Sequence, residues 1–218
     1  MRSEPRRAAP LSREALSSRV VQVLSLGSRR NPDVLLVSNG DHQIVVKDFA
    51  ARSCWVRNTV GRLVTAREAA AYRWLEGHPA VPRFLGFVDP LAIAVEFRPG
   101  RRISRNLIDD AGPEFLDALA RAVGELHARG LAHLDLGHRS NVLVDEAGRP
   151  VLIDFASAVW FRPGGLGARW LLPWLVRYDC RAVTKWRDKL SRQRSLRASS
   201  AGGSGGVSGG GRSESRPT

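Results

Sequence analysis

The stretch over residues 126–156, LHARGLAHLDLGHRSNVLVDEAGRPVLIDFA, constrains this chain most, because residues that carry chemistry alternate there with readable element boundaries. Upstream, Leu116, Leu119, Ala120, Val123, Leu126 and His127 recur at helical period. Gly130 then stands where a helix end favours a residue free to take positive φ. The spacing predicts a helix that stops there and a loop carrying His133, Asp135 and Asn141. Val142, Leu143 and Val144 read as one short strand, residues 145–150 as a turn, and Val151, Leu152 and Ile153 as a second strand. A hairpin folds its ends together, so Asn141 at its start and Asp154 after its end emerge on one side. Hard divalent cations take few carboxylate and amide oxygens and fill their other positions with water and phosphates, which suits this pair. Asp135 is left for a different task.

The order HLD, Asn141, DFA resembles the catalytic and metal-binding loops of protein kinase-like enzymes. The resemblance implies that Asp135 orients or deprotonates an acceptor hydroxyl, that His133 braces the loop, and that Asn141 and Asp154 hold Mg²⁺ or Mn²⁺ on the phosphates of ATP. The short chain and the ending LIDFASAV look closest to a small bacterial branch that includes lipopolysaccharide-core and Kdo sugar kinases and RIO-like kinases.

Such enzymes need a lysine on the nucleotide phosphates, and Lys47 is the only lysine before residue 185. It lies in the β-branched run QIVVKDF behind Asn39-Gly40-Asp41, which predicts the second strand of a hairpin. The segment REAAAYRWLE over 67–76 predicts a helix, and Glu68, twenty-one residues after Lys47, matches the family's lysine-pairing glutamate, with Glu76 as fallback. The apolar strand AIAVEF over 92–97 is closed by Arg98-Pro99-Gly100. It resembles the hinge that reads adenine, here through the backbone of Glu96, Phe97 and Arg98. A helix over 109–126 would open the larger lobe.

Two departures stand beside the match. No GxGxxG loop precedes Lys47; the phosphate cover falls to Gly27-Ser28-Arg29-Arg30-Asn31, with Arg29 or Arg30 supplying charge in place of backbone N–H groups. The interval from Asp135 to Asn141 is six residues, one longer than usual in the family, and Ala156 replaces the final glycine of DFG. Alanine is tolerated there unless φ is positive.

The resemblance implies an α+β chain with a minimal bilobal kinase-like fold: an antiparallel β-sheet lobe over 12–98 and a reduced helical lobe over 99–190. Helices over 168–178 and 179–190 would stand in for a missing activation segment and substrate lobe. Residues 1–11 read as disordered, Ser12 as the cap of a helix running on through Val20, Val21, Val23 and Leu24, and residues 191–218, rich in Ser, Gly and Arg, as a disordered tail. Cys54 and Cys180 have neither metal-ligand spacing nor a disulfide framework and read as reduced thiols.

The formal net charge is +13, yet arginine is spread throughout, so dedicated nucleic-acid binding is not expected. Between Trp160 and Arg187, aromatic residues alternate with cations, which suits a peripheral contact with an anionic membrane. The same Trp170, Leu171, Trp174 and Leu175 also fit a core stripe at helical spacing, and both readings stand open. No apolar run is long enough to span a bilayer or to serve as a signal peptide, so the expected place is the cytoplasm, with the inner membrane face as a peripheral site. The acceptor hydroxyl is either a lipopolysaccharide-type sugar or a protein serine or threonine. The alternative is a pseudokinase that binds nucleotide or a partner without transfer.

Overall fold

The computed structural model describes residues 11–103 and 105–202. Ser12 caps α1 (Arg13–Arg19), its hydroxyl accepting a hydrogen bond from the Ala15 N–H. The chain then becomes extended as β1 (Val20–Ser25), so the helix expected to continue through Leu24 is a strand instead. Val20, Val21 and Val23 are stiff β-branched residues, and β1 finds a pairing partner in β2 (Asp33–Asn39), a tertiary contact that local periodicity does not contain.

β2 returns through Gly40, at φ +69°, into β3 (His42–Asp48). A glycine at the first central position supplies the positive φ that tight hairpin turns require. Next come α2 (Cys54–Val56), a π-helical turn (Arg57–Gly61), α3 (Arg62–Trp74), β4 (Phe84–Asp89) and β5 (Ala92–Glu96). The five strands form one antiparallel sheet in the order β1-β2-β3-β5-β4. Lys47 on β3 lies opposite Ile93 on β5.

The second half opens with β6 (Arg101–Arg102) and α4 (Arg105–Ala128), followed by β7 (Leu131–Ala132). Gly130 separates these last two at φ +82°, and a Cβ there would lie 2.2 Å from the Phe161 carbonyl oxygen. A 3-10 turn (Arg139–Asn141) leads into β8 (Val142–Val144) and β9 (Pro150–Leu152), then β10 (Val159–Trp160), α5 (Leu166–Trp170) and α6 (Leu172–Gly202). The two helices expected over 168–178 and 179–190 are thus divided at Leu171 rather than after Tyr178. Pro173 falls in the first turn of α6, where its missing N–H costs no intrahelical bond.

Two boundaries differ from the sequence reading. Leu11, assigned to a disordered N-terminus, is buried with Leu16 against Val37, Ile44, Val46, Ala92 and Ala94 under α1. The helix α6 runs past Ser191 to Gly202, although composition there suggested a disordered tail; helical hydrogen bonds continue from a turn already formed without needing apolar side chains. The remainder of the two assigned termini, residues 1–10 and 203–218, lies outside the described residues.

The larger core joins the two halves of the chain. Phe115, Leu116, Leu119, Val123 and Leu126 form the inward stripe of α4 and pack with Tyr72, Ile93, Leu131, Leu152 and Phe155. Each such side chain contributes about 2 kcal/mol through its removal from water. The α6 helix closes this core with Ala182 and Trp186. Among the described residues no helix is long and apolar enough to cross a membrane.

Candidate functional site

At the junction between the five-stranded sheet and the helical half, β3 carries Lys47 across from Glu68 on α3. The Lys47 Nζ lies 2.6 Å from Glu68 Oε1 and 2.8 Å from Asp154 Oδ1. Glu68, and not Glu76, is therefore the partner; it is buried at one end of a helix face formed by Ala69, Ala71 and Tyr72. Burial alone would lower the Lys47 pKa, but Glu68 and Asp154 together outweigh it and hold the ammonium well above its ordinary value. Burial would likewise raise Asp154, and the charge and hydrogen bond of Lys47 overcome it, so this carboxyl lies below its usual range. One permanent cation thus bridges two carboxylates that come from a helix and from the end of a hairpin.

Asp154 adopts φ +68°, one of only two positive values among the described non-glycine residues; the other is Leu134, at φ +66°. Such conformations cost about 1–3 kcal/mol each and persist where surrounding contacts over-determine them. The contacts are visible in both cases. Phe155 is fully buried between Tyr72, at a ring distance of 5.1 Å, and His133, at 4.7 Å, and so fixes the segment after Asp154. Ala156 has no positive φ, which removes the one conformational objection to alanine at that place.

Leu134 is held by Asp179 of α6. The Asp179 carboxylate accepts the backbone N–H of His133 at 2.7 Å and that of Leu134 at 2.8 Å, and it lies 3.0 Å from His127 Nε2. It is only 1% exposed. This residue was missed in the sequence reading, which took it as a helix boundary. The signal was present: Asp179 shares a helical stripe with Val176, Ala182, Val183 and Trp186, and an acid on an apolar stripe needs an explanation. His127, which closes the helical-period run before Gly130, sits there and partners it.

His133 is completely buried, and its Nε2 faces the Ile153 carbonyl oxygen at 3.1 Å, which assigns the proton to Nε2 as donor. Burial lowers its pKa, so the ring is neutral near pH 7 and acts as a brace between the loop and β9. Asn141 completes the loop: its Nδ2 donates to Asp135 Oδ2 at 2.7 Å and to the Asp135 carbonyl oxygen at 3.0 Å, while its own carbonyl oxygen accepts the Ile153 N–H at 3.0 Å. The last of these contacts puts Asn141 beside Ile153, the residue preceding Asp154. Ser140, also missed in the sequence reading, donates to Asn141 Oδ1 at 2.9 Å and lies 2.6 Å from His138 Nδ1. His138 and Arg139 are exposed.

The Glu96 N–H donates to the Arg83 carbonyl oxygen, and its carboxylate accepts from the Arg83 N–H at 2.9 Å and from Arg98 Nε at 3.2 Å. Glu96 is therefore a brace at the end of β5, and Arg98 is further fixed on the Pro79 carbonyl oxygen. The loop between β1 and β2 is tied down: Gly27 donates to Asp33 Oδ1 at 2.7 Å, and Arg52 donates to the Gly27 and Ser28 carbonyl oxygens at 2.7 and 2.9 Å. Arg29 and Arg30 project from it, exposed.

Lys47 stands with Glu68 and Asp154, so carboxylates outnumber cations and the cluster favours added positive charge. Among the described residues no group of three or more His, Cys, Asp or Glu could hold a metal. Asp154 and Asn141 nevertheless supply two hard oxygens, and an ion that keeps most of its coordination for water and phosphate needs no more. Compared with known proteins, the chain matches no family model and no curated sequence.

Proposed function

We propose that this chain is an ATP-dependent phosphotransferase with a minimal bilobal kinase-like architecture, acting on a hydroxyl acceptor. The observation that carries the reading is the Lys47 ammonium held between buried Glu68 at 2.6 Å and Asp154 at 2.8 Å, a fixed point charge beside a carboxylate kept ionised. A positioned lysine and an oxygen pair are the parts that phosphoryl transfer needs, since its catalysis is mainly positioning and charge neutralisation. Asp154 and Asn141 would hold Mg²⁺ or Mn²⁺, which when bound neutralises charge on the phosphate oxygens. Asn141 Oδ1 would exchange its bond from Ser140 for that role.

Asp135 is oriented by Asn141 and only half-buried, so it can accept the acceptor's proton as the hydroxyl oxygen bonds to the γ-phosphorus and the bond to the β–γ bridging oxygen breaks, releasing ADP. His133 and Asp179 keep the loop in register. With the Glu96 N–H already committed, contact with the adenine edge falls to the backbone of Phe97 and Arg98. Use of ATP favours the cytoplasm. The acceptor is a lipopolysaccharide-type sugar or a protein serine or threonine.

The test is Mg²⁺-dependent ATP consumption by the purified protein, with and without a lipid-glycan extract and a generic protein acceptor. Asp135→Asn should retain nucleotide binding and lose turnover by about a hundredfold or more. Asp154→Ala should lose the Mg²⁺ dependence of binding. MgATP binding by the parent with no turnover in any arm would replace this reading with a pseudokinase, which the tied β1–β2 loop in place of a glycine nest would then explain.

A further inference from the structure

The face of α6 that turns away from the core carries aromatic residues that the fold does not use. Leu175, Val176, Asp179, Ala182, Val183 and Trp186 recur at helical spacing and are the buried or half-buried side. That stripe already satisfies the packing of an amphipathic helix. On the opposite side Trp174 is 70% exposed and Tyr178 60%, and α5 adds Leu166 and Trp170 at 79% and 67%. Leu171 joins the two helices with helical backbone angles and is itself exposed, so Trp170, Trp174 and Tyr178 follow one another at steps of four along one side. The core-stripe reading fails for Trp170, Leu171 and Trp174, which are all exposed, and only Leu175 of that stripe is half-buried; the buried indole of α6 is Trp186 instead, which is 2% exposed.

Charge continues the same face. Arg177 stands over the Trp174 ring at 5.7 Å and Arg181 over the Tyr178 ring at 5.9 Å, and Lys185 is exposed one turn further on. Over residues 162–192 the chain has eight Lys or Arg against two Asp, and one of the two, Asp179, is buried. Arginine and lysine stems lie along apolar surface while their heads reach water or phosphate, and indole and phenol rings favour the level of lipid headgroups.

We propose that the outer face of α5 and the first turns of α6 docks on an anionic phospholipid bilayer, with Leu166, Trp170, Leu171 and Trp174 entering the headgroup boundary and Arg177, Arg181 and Lys185 resting on lipid phosphates. The helices lie along the surface, since no described helix is able to span it. A second copy fits less well, because a self-complementary contact would set the same cations against each other. Nucleic acid would satisfy the cations and leave the leucines and tryptophans uncovered. The inference rests on this face alone and is independent of phosphotransfer.

The test is co-sedimentation of the full chain with vesicles of phosphatidylcholine alone and with vesicles that also contain phosphatidylglycerol, together with tryptophan emission. Binding to the anionic vesicles only, with a blue shift, is expected. Trp170→Ser with Trp174→Ser, and separately Arg177→Ala with Arg181→Ala, should each weaken binding about tenfold or more, with unchanged unfolding midpoints because all four side chains are exposed. No binding to either vesicle, or anionic binding equal in parent and both variants, overturns the proposal. So does a dimer that dissociates in the tryptophan variant, or capture of an oligonucleotide by a chain that ignores vesicles.

Discussion

Lys47 is costly to bury and is retained because two carboxylates meet it. Its side chain is 11% exposed and that of Glu68 2%, so neither charge has water to fall back on. Removing one partner of a buried pair leaves the other uncompensated, which costs far more than the pair contributes over an apolar replacement. Lys47→Met should therefore destabilise the protein by about 3 kcal/mol, read as a lower urea midpoint. Lys47→Met combined with Glu68→Leu should recover most of the loss. A double variant no more stable than the single one would mean that Glu68 is not the strained group. Activity separates from stability here, since the double variant should fold and remain inactive, having no cation for the phosphates.

At the scale of elements, the geometry of the loop from His133 to Asn141 is set from outside it, by one carboxylate on α6. Asp179 accepts two successive backbone N–H groups and thereby keeps Leu134 at positive φ. Asp179→Asn presents a single acceptor oxygen and a donor, so one N–H is left buried without a partner; the expected loss is about 2 kcal/mol. Turnover should fall further than this loss of folded population explains, because Asp135 follows Leu134 directly. Equal turnover per folded molecule in parent and variant would show that α6 merely covers the loop. This dependence explains what the sequence could reveal. Lys47, Glu68, Asn141 and Asp154 were legible because each sits on an element with a clear local pattern, and the hairpin after Asn141 fixes where Asp154 returns. Asp179 stood out only as an acid on an apolar stripe, and its role, like that of Ser140, exists only once α6 and the loop are packed. The strand β1 escaped for the same reason: its apolar run fits a helix or a strand, and only pairing with β2 decides.

The whole molecule carries two buried histidines that the site does not titrate, and these govern its response to acid. Burial lowers the pKa of His133, facing Asp179, Asp154 and Asp135, and of His78, facing Glu125 and Arg129, from the ordinary 6.5. In the unfolded chain these two rings take up two protons as the pH falls past about 6.5, while in the folded chain they resist until lower pH. The unfolded state then binds more protons, so folding stability must fall with the pH across that window, by at most about 1.4 kcal/mol per pH unit for each group. Burial raises Glu68 above its ordinary 4.5, which acts in the opposite sense above that value. Asp154, held low by Lys47, adds a further loss below 3.8. Urea midpoints measured from about pH 7.5 to about 5 should therefore decline. His133→Gln and His78→Gln should each start less stable and decline less steeply, since each removes one proton-binding difference. A parent midpoint that is flat or rises over this range would show that neither ring is kept neutral by the fold.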